Sequence, residues 1–270
     1  MTAIIRRFTL NIRLFFEGAF LSYLALFHWL RPMTYLASKV MAPLTQMLFF
    51  VFIGAYASGT QNAAFYVIGN SLIFTASSGI FGVTMSIGGE RWSGTLPYLF
   101  GTPANRMALF LGRAFMHIFD GMFGVFIGLA WGILLFNLDL SHTDFAALVL
   151  TIFITTFSTA GLGLLMGCLS LITRNVMFVN NTVYFLLLIF SGANLELSTL
   201  PRWMQAVSNI LPLTRGVAST RALIAGGKLA EIAPLLWQEI LIGVIYILLG
   251  YFMFRWFEYE AKVRGTLEVF

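Results

Sequence analysis

Three ionisable residues lie inside one long apolar stretch, where an unpartnered charge is costly. Arg113, His117 and Asp120 are the ionisable residues between positions 107 and 136, and they are spaced four and three positions apart. Gly124 and Gly128 continue the same spacing, so all five occupy one stripe of a helix. Because charged side chains inside a bilayer need partners, the stripe is predicted to face protein or a cavity rather than lipid.

The chemistry of this stripe allows two hypotheses. In the first, Asp120 and His117 line a route through the membrane and attract a cationic compound. In the second, Asp120 is a structural hydrogen-bond partner for Asn70, Asn180 or Asn181 on other helices. We favour the second hypothesis because polar contacts between helices are commoner in membrane proteins than ligand contacts.

The composition indicates an all-α polytopic membrane protein, since 59% of residues are hydrophobic, 10% are charged and the mean hydropathy is +0.87. The net charge of +5 does not indicate nucleic-acid binding, because the basic residues lie at helix ends rather than in one patch. The single cysteine, Cys168, cannot form an intrachain disulfide. His28, His117 and His142 are too scattered to predict a metal site, and no set of residues indicates an enzyme.

Apolar runs of about 20 residues or more predict membrane-spanning helices. Six are predicted, at residues 40–57, 63–87, 107–136, 145–172, 176–192 and 234–254. An even number places both termini on one side. With the termini in the cytoplasm, 12 of the 16 basic residues are inside, as the positive-inside rule requires. The predicted organisation is therefore a cytoplasmic region 1–39, a six-span domain 40–254 in the cell membrane, and a cytoplasmic tail 255–270.

Residues 1–39 are predicted to form an amphipathic helix at the inner membrane surface. Its two faces would divide as follows: Phe8, Ile12, Phe15, Phe16 and Ala19 toward lipid, and Arg6, Arg13 and Glu17 toward water. Residues 14–30 are apolar enough to cross the membrane instead. Glu17 and His28 argue against a crossing. The alternative function of the amphipathic helix is that of a simple membrane anchor.

An outer hairpin is predicted for residues 193–233, between the fifth and sixth spans. Apolar residues recur at helical spacing after Ser198 or Thr199 as N-cap, Pro212 interrupts them, and a second helix over 213–224 ends at Gly226. Two short half-apolar helices favour a re-entrant or interfacial arrangement. It could form an outer gate from Leu200, Trp203, Met204 and Pro212, or it could be a surface loop on the headgroups.

A short polar segment, residues 88–106, separates the second and third predicted spans and is predicted to be cytoplasmic. It contains Glu90-Arg91-Trp92-Ser93-Gly94-Thr95-Leu96 and continues to Arg106. We predict a short amphipathic helix that Trp92 and Leu96 hold in the interface, with Glu90, Arg91 and Thr95 presented to the cytosol. The alternative is a solvated turn with a helix cap.

This segment and the late run Leu200-Pro201, Trp203-Met204-Gln205, Leu211-Pro212-Leu213-Thr214 and Arg221 resemble the permease subunits of type 2 ATP-binding-cassette exporters. The resemblance spans most of the chain. It departs at Pro97, where the family commonly carries an acidic residue.

The resemblance implies a partner ATPase, in two copies, that contacts residues 90–96 and Arg106 and binds the ATP and Mg. The chain has no G-x-x-x-x-G-K-[ST] motif of its own. The resemblance also implies a second permease, either another copy in a homodimer, which we favour, or a paralogue. Short outer loops and apolar candidate linings favour export of a hydrophobic or amphipathic compound, drug-like or lipid. The alternatives are a polysaccharide, teichoic acid or other glycolipid as cargo, or a non-transporting scaffold or immunity protein.

Overall fold

The computed structural model describes residues 2–28, 32–59, 62–102, 105–171 and 175–264. All regular secondary structure in this part of the chain is helical, as the composition predicts. The α-helices are α1 Thr2–His28, α2 Pro32–Ser58, α3 Ala63–Ala76, α4 Val83–Trp92, α5 Leu96–Gly101, α6 Arg106–Phe136, α7 Phe145–Ser170, α8 Val176–Phe190, α9 Arg202–Ile210, α10 Thr214–Ile224 and α11 Leu229–Arg264. A π-helical segment, Ser77–Gly82, joins α3 to α4, and a 3₁₀ turn, Leu197–Thr199, precedes α9.

Five helical stretches in the described residues are long and apolar enough to cross a membrane. They are Leu36–Ser58, Ala63–Arg91, Arg106–Phe136, Phe145–Ser170 and Leu229–Glu260, which match five of the six predicted spans. The remaining predicted span, residues 176–192, falls on α8. This helix has 15 residues and is therefore about 22 Å long, shorter than a hydrocarbon core of about 30 Å. The helix ends before Gly192, whose φ is +80°. The six-span count thus stays a prediction.

The helix α7 forms the centre of the bundle and packs against α11, α6 and the α3–α4 pair. Small residues allow its backbone to approach its neighbours closely. A Cβ added at Gly163 would lie 1.7 Å from the carbonyl oxygen of Gly79, and one added at Gly161 would lie 2.7 Å from the carbonyl oxygen of Gly243. This small-residue packing is typical of helices that associate inside membranes.

Two apolar clusters lie one after the other along the bundle. The first joins α3, α6, α7 and α10 through residues such as Leu72, Val125, Leu148 and Val217. The second joins α4, α5, α6, α7 and α11 through residues that include Ile87, Phe100, Phe110, Leu164 and Phe254. On α6 the ionisable residues Arg113, His117 and Asp120 lie between Phe110 of the second cluster and Val125 of the first. The second cluster also contains Leu96 and Phe100, so it marks the end of the bundle that carries α5.

The N-terminal helix α1 packs on α6 along part of its length. Phe15 and Phe115 have ring centroids 5.4 Å apart, and Ala19 is buried. The prediction that Ala19 faces lipid was wrong, because the helix packs on α6 at that position. Phe15 is half-buried, and for this residue the lipid-facing orientation stays a prediction. Ile12 and Phe16 are exposed as predicted. The side chains of Arg6 and Phe8 lie outside the described residues.

The predicted hairpin contains two helices, with one boundary different from the prediction. Pro201 precedes α9, whereas Ser198 and Thr199 belong to the 3₁₀ turn, so neither is the N-cap. Proline at this position fits because the first helical N–H groups need no intrahelical acceptor. The second helix, α10, ends at Ile224 as predicted, followed by Gly226 with a φ of +90°.

Candidate functional site

Residues 88–106 form a helix end, a tight turn and a short second helix. The apolar stretch that starts as α3 continues through the π-helical segment and α4 to Trp92. Gly94, with a φ of +67°, then reverses the chain. Pro97 lies in the first turn of α5, where its missing N–H costs nothing. The short helix therefore occupies Leu96–Gly101, whereas the prediction placed it over residues 90–96.

Glu90 is an internal ion-pair partner. One of its carboxylate oxygens accepts a hydrogen bond from Arg113 on α6, and the other accepts one from the hydroxyl of Thr95. Arg113 also donates to the carbonyl oxygen of Ser86 at 2.5 Å. The prediction that Glu90 is presented to the cytosol was wrong, because the guanidinium inside α6 needs this carboxylate as its counter-ion.

Arg106 connects α5 to α11. Its guanidinium donates to the carbonyl oxygens of Leu99, Phe100 and Thr102 at 3.2, 2.7 and 3.1 Å, which are acceptors at the C-terminal end of α5. It also forms an ion pair with Glu258 on α11. A cation at a helix C-terminus satisfies carbonyls that have no partner within the helix.

The two faces of α5 differ in burial. Leu96 and Phe100 are buried in the second apolar cluster. The prediction that Leu96 lies in the membrane interface was therefore wrong, because this side chain packs in the protein core. On the other face Tyr98 is 78% exposed, and Ser93, Gly94 and Thr95 are exposed beside it. Arg91 is half-buried, and the side chain of Trp92 lies outside the described residues.

Two ion pairs thus connect the segment to the bundle, Glu90–Arg113 toward α6 and Arg106–Glu258 toward α11. A force applied to the exposed face of α5 would reach α4, α6 and α11 together.

A second charged group lies inside the bundle, where α2, the π-helical segment and α6 meet. Lys39 Nζ lies 2.5 Å from Asp120 Oδ2, and Ser78 Oγ donates to the same oxygen at 2.6 Å. The Asp120 side chain is 2% exposed, whereas that of Lys39 is 21% exposed. Ser78 belongs to the π-helical segment, and π-helical turns occur frequently at functional sites.

These contacts give Asp120 partners other than the predicted asparagines. Asn70 donates to Asn194 at 2.8 Å and Asn181 is exposed. The side-chain amide of Asn180 is buried without a hydrogen bond to any described residue. His117 is also buried, against Gly82, where an added Cβ would lie 2.4 Å from its Nδ1. The hypothesis that Asp120 and His117 line a transport route stays a prediction.

Glu239 is a buried carboxylate that the sequence reasoning missed. It is fully buried on α11, accepts a hydrogen bond from Ser158 on α7, and accepts another from the backbone N–H of Leu213 at 2.6 Å. Leu213 has a φ of +78°, so the carboxylate stabilises the turn that starts α10. The signal was present, since Glu239 lies inside an apolar predicted span just as Asp120 does.

The predicted gate residues lie in different environments. Trp203 is 63% exposed, Leu200 and Met204 are half-buried, and Pro212 is buried. Their role as a gate stays a prediction.

Arg221 connects α10 to two neighbouring elements. It donates to the carbonyl oxygens of Gly192, Phe65 and Ala193 at 2.8, 2.9 and 3.0 Å. Burial lowers the pKa of Arg221 to about 10, against the opposing influence of Glu196, so the side chain stays charged at neutral pH.

Long apolar helices with polar contacts between them indicate a multi-pass membrane protein. The sequence model of the ABC-2 type transporter family matches residues 21–225. The chain belongs to this family and is a permease component. Members of the family generally work with an ATPase partner. Among curated proteins no match to the chain was found.

Proposed function

We propose that the chain is the membrane subunit of an ATP-driven exporter, and that a partner ATPase binds the exposed face of α5. The observation that supports this most directly is the pair of ion pairs at the two ends of the segment. Glu90–Arg113 joins α4 to α6, and Arg106–Glu258 joins α6 to α11. The small helix α5 is held between these pairs, because Thr95 donates to Glu90 and Arg106 donates to carbonyl oxygens of α5. A protein that converts movement of a docked subunit into movement of spans requires such a connection.

The proposed assembly contains two permease chains and two ATPase subunits, with ATP and Mg held by the ATPase. Both termini and α5 lie in the cytoplasm of the cell that carries the protein in its cell membrane. The proposal of a homodimer is supported by an exposed apolar face on α2 and α8. These helices contact each other through Tyr184 and Gln46, 2.8 Å apart, and beside that contact they expose Phe49, Phe52 and Phe185 by about 60% each.

The same phenylalanines support a hydrophobic or amphipathic cargo. If two copies meet near this face, the path between them is lined by aromatic rings and offers few polar partners to a glycan. A polar cargo with many hydroxyl groups would lose hydrogen bonds to water without replacing them.

A photo-crosslinking amino acid at Tyr98 tests the proposed docking surface. We expect it to capture a nucleotide-hydrolysing subunit in whole cells, because Tyr98 is the most exposed large side chain on α5. The matched control is the same amino acid at Trp203, also exposed, which should capture no such subunit. Capture at both positions or at neither, or a captured subunit whose ATPase activity is unchanged by the permease, would favour a scaffold or immunity protein.

A further inference from the structure

Two adjoining cavities open between α6 and α11 at the end of the bundle that carries α5. The first has a volume of about 550 Å³ and is lined by residues that include Asn105, Arg106, Tyr251, Arg255 and Glu258. The second has a volume of about 350 Å³ and is lined by Phe15, Phe115, Ile118, Phe157, Leu164 and other apolar residues. Leu111 lines both cavities, so a charged cavity and an apolar cavity adjoin at this residue.

The charged part favours an anion. It contains the guanidinium groups of Arg106 and Arg255 and the carboxylate of Glu258, which pairs with both. One positive charge is therefore left in excess. Arg106 is committed to carbonyls of α5, but Arg255 donates to Glu258 at 3.0 Å and its side chain is 61% exposed. A guanidinium has five N–H donors in a planar fork that suits phosphate. Arg255 can therefore hold a phosphate while it keeps its contact with Glu258.

The apolar part suits a hydrocarbon chain. It lies between α1, α6, α7 and α11, and aromatic rings from three of these helices line it. Ile247 lies on α11 eight residues before Arg255, which is about 12 Å along the helix. A molecule with its phosphate at Arg255 would thus pass Leu111 and place its apolar chain among these rings.

We propose that this site binds a phospholipid with an acidic headgroup, with the phosphate at Arg255 and one acyl chain in the apolar cavity. The lipid would come from the leaflet on the α5 side. In the topology proposed above this is the cytoplasmic leaflet, whose negative charge is attracted to basic residues near the surface. The site does not depend on whether the chain exports a compound.

Native mass spectrometry of the full-length chain, incubated with equal amounts of phosphatidylglycerol and phosphatidylcholine, tests this proposal. We expect one retained phosphatidylglycerol per chain in preference to phosphatidylcholine. Arg255→Gln should reduce that preference roughly fivefold, the effect of about 1 kcal/mol per basic residue, and Arg255→Lys should keep most of it. Leu111→Trp should reduce retention of both lipids, because the larger side chain obstructs the passage between the cavities.

Two matched controls separate local from general effects. Arg202→Gln removes an exposed arginine at the start of α9, and Leu134→Trp adds the same ring at a position of α6 that is 71% exposed. Both should bind lipid as the wild type does. The proposal is overturned if Arg255→Gln, with an unchanged melting temperature, keeps the wild-type preference. It is equally overturned if phosphatidylcholine is retained as well as phosphatidylglycerol, or if free glycerol 3-phosphate displaces the lipid.

Discussion

Glu90 and Arg113 form one ion pair, but removing Glu90 should destabilise the protein more than removing Arg113. The Arg113 side chain is 8% exposed and that of Glu90 is 19% exposed. Without Glu90, the one hydrogen-bond acceptor that the described residues leave to the guanidinium is the carbonyl of Ser86, and its Nε already has no hydrogen-bond partner there. Without Arg113, the carboxylate keeps the hydroxyl of Thr95 and some access to water.

These differences set the expected order of stability. Glu90→Leu leaves a buried charge without a counter-ion and should cost about 3–5 kcal/mol. Arg113→Leu leaves a partly solvated carboxylate and should cost about 1–3 kcal/mol. The double variant removes both charges and should lie close to the wild type, because replacing a whole buried pair by apolar side chains is often neutral.

Thermal unfolding of the purified chain in one detergent measures this order. Glu90→Leu should lower the melting temperature by roughly 10 °C, Arg113→Leu by less, and the double variant least. The control is Glu17→Leu, which breaks the Arg13–Glu17 pair, whose side chains are 71% and 59% exposed, and should cost less than about 1 kcal/mol. If the double variant is as unstable as the sum of the single variants, the two residues do not act as a pair and the reasoning fails.

Three other predictions use the same measurements or simple labelling. Asp120→Asn should lower the melting temperature by leaving Lys39 without its carboxylate, and adding Lys39→Met should restore it; a deficit that persists would show that the pair is not the cause. Glu239→Gln should be nearly neutral because it keeps an acceptor oxygen, whereas Glu239→Leu should cost about 1–3 kcal/mol; equal losses would contradict this. In a cysteine-free background, Tyr98→Cys should be labelled only from the cytoplasmic side and Trp203→Cys only from outside, and labelling of both from one side would exclude a crossing by α8.

Much of the fold could be predicted because hydrophobic length is a local signal. The stretches 63–87, 107–136 and 145–172 agree with observed helices to within a few residues at most ends. The ends of α2 and α11 could not be predicted in the same way. Both helices continue past the apolar run, to Pro32 and Arg264, and charged residues near their ends have protein partners that only the folded chain reveals.

The candidate site was predictable in place but not in its contacts. The spacing of Arg113, His117 and Asp120 correctly predicted a buried stripe. It could not show that Arg113 pairs with a residue 23 positions earlier, or that Asp120 pairs with Lys39, 81 positions away. Partners at such separations depend on how the helices pack, and periodicity along one helix contains no information about that.

The shortness of α8 has a consequence for the bilayer around it. If α8 crosses the membrane as predicted, its length of about 22 Å leaves roughly 8 Å of hydrocarbon unmatched. Lipids beside it must then compress, at a cost of fractions of a kcal/mol for each ångström. A compressed patch brings the two headgroup layers nearer to each other, and its energy rises in a thicker membrane. In that case, acyl-chain length in the surrounding membrane would change the energy of the lipids beside α8.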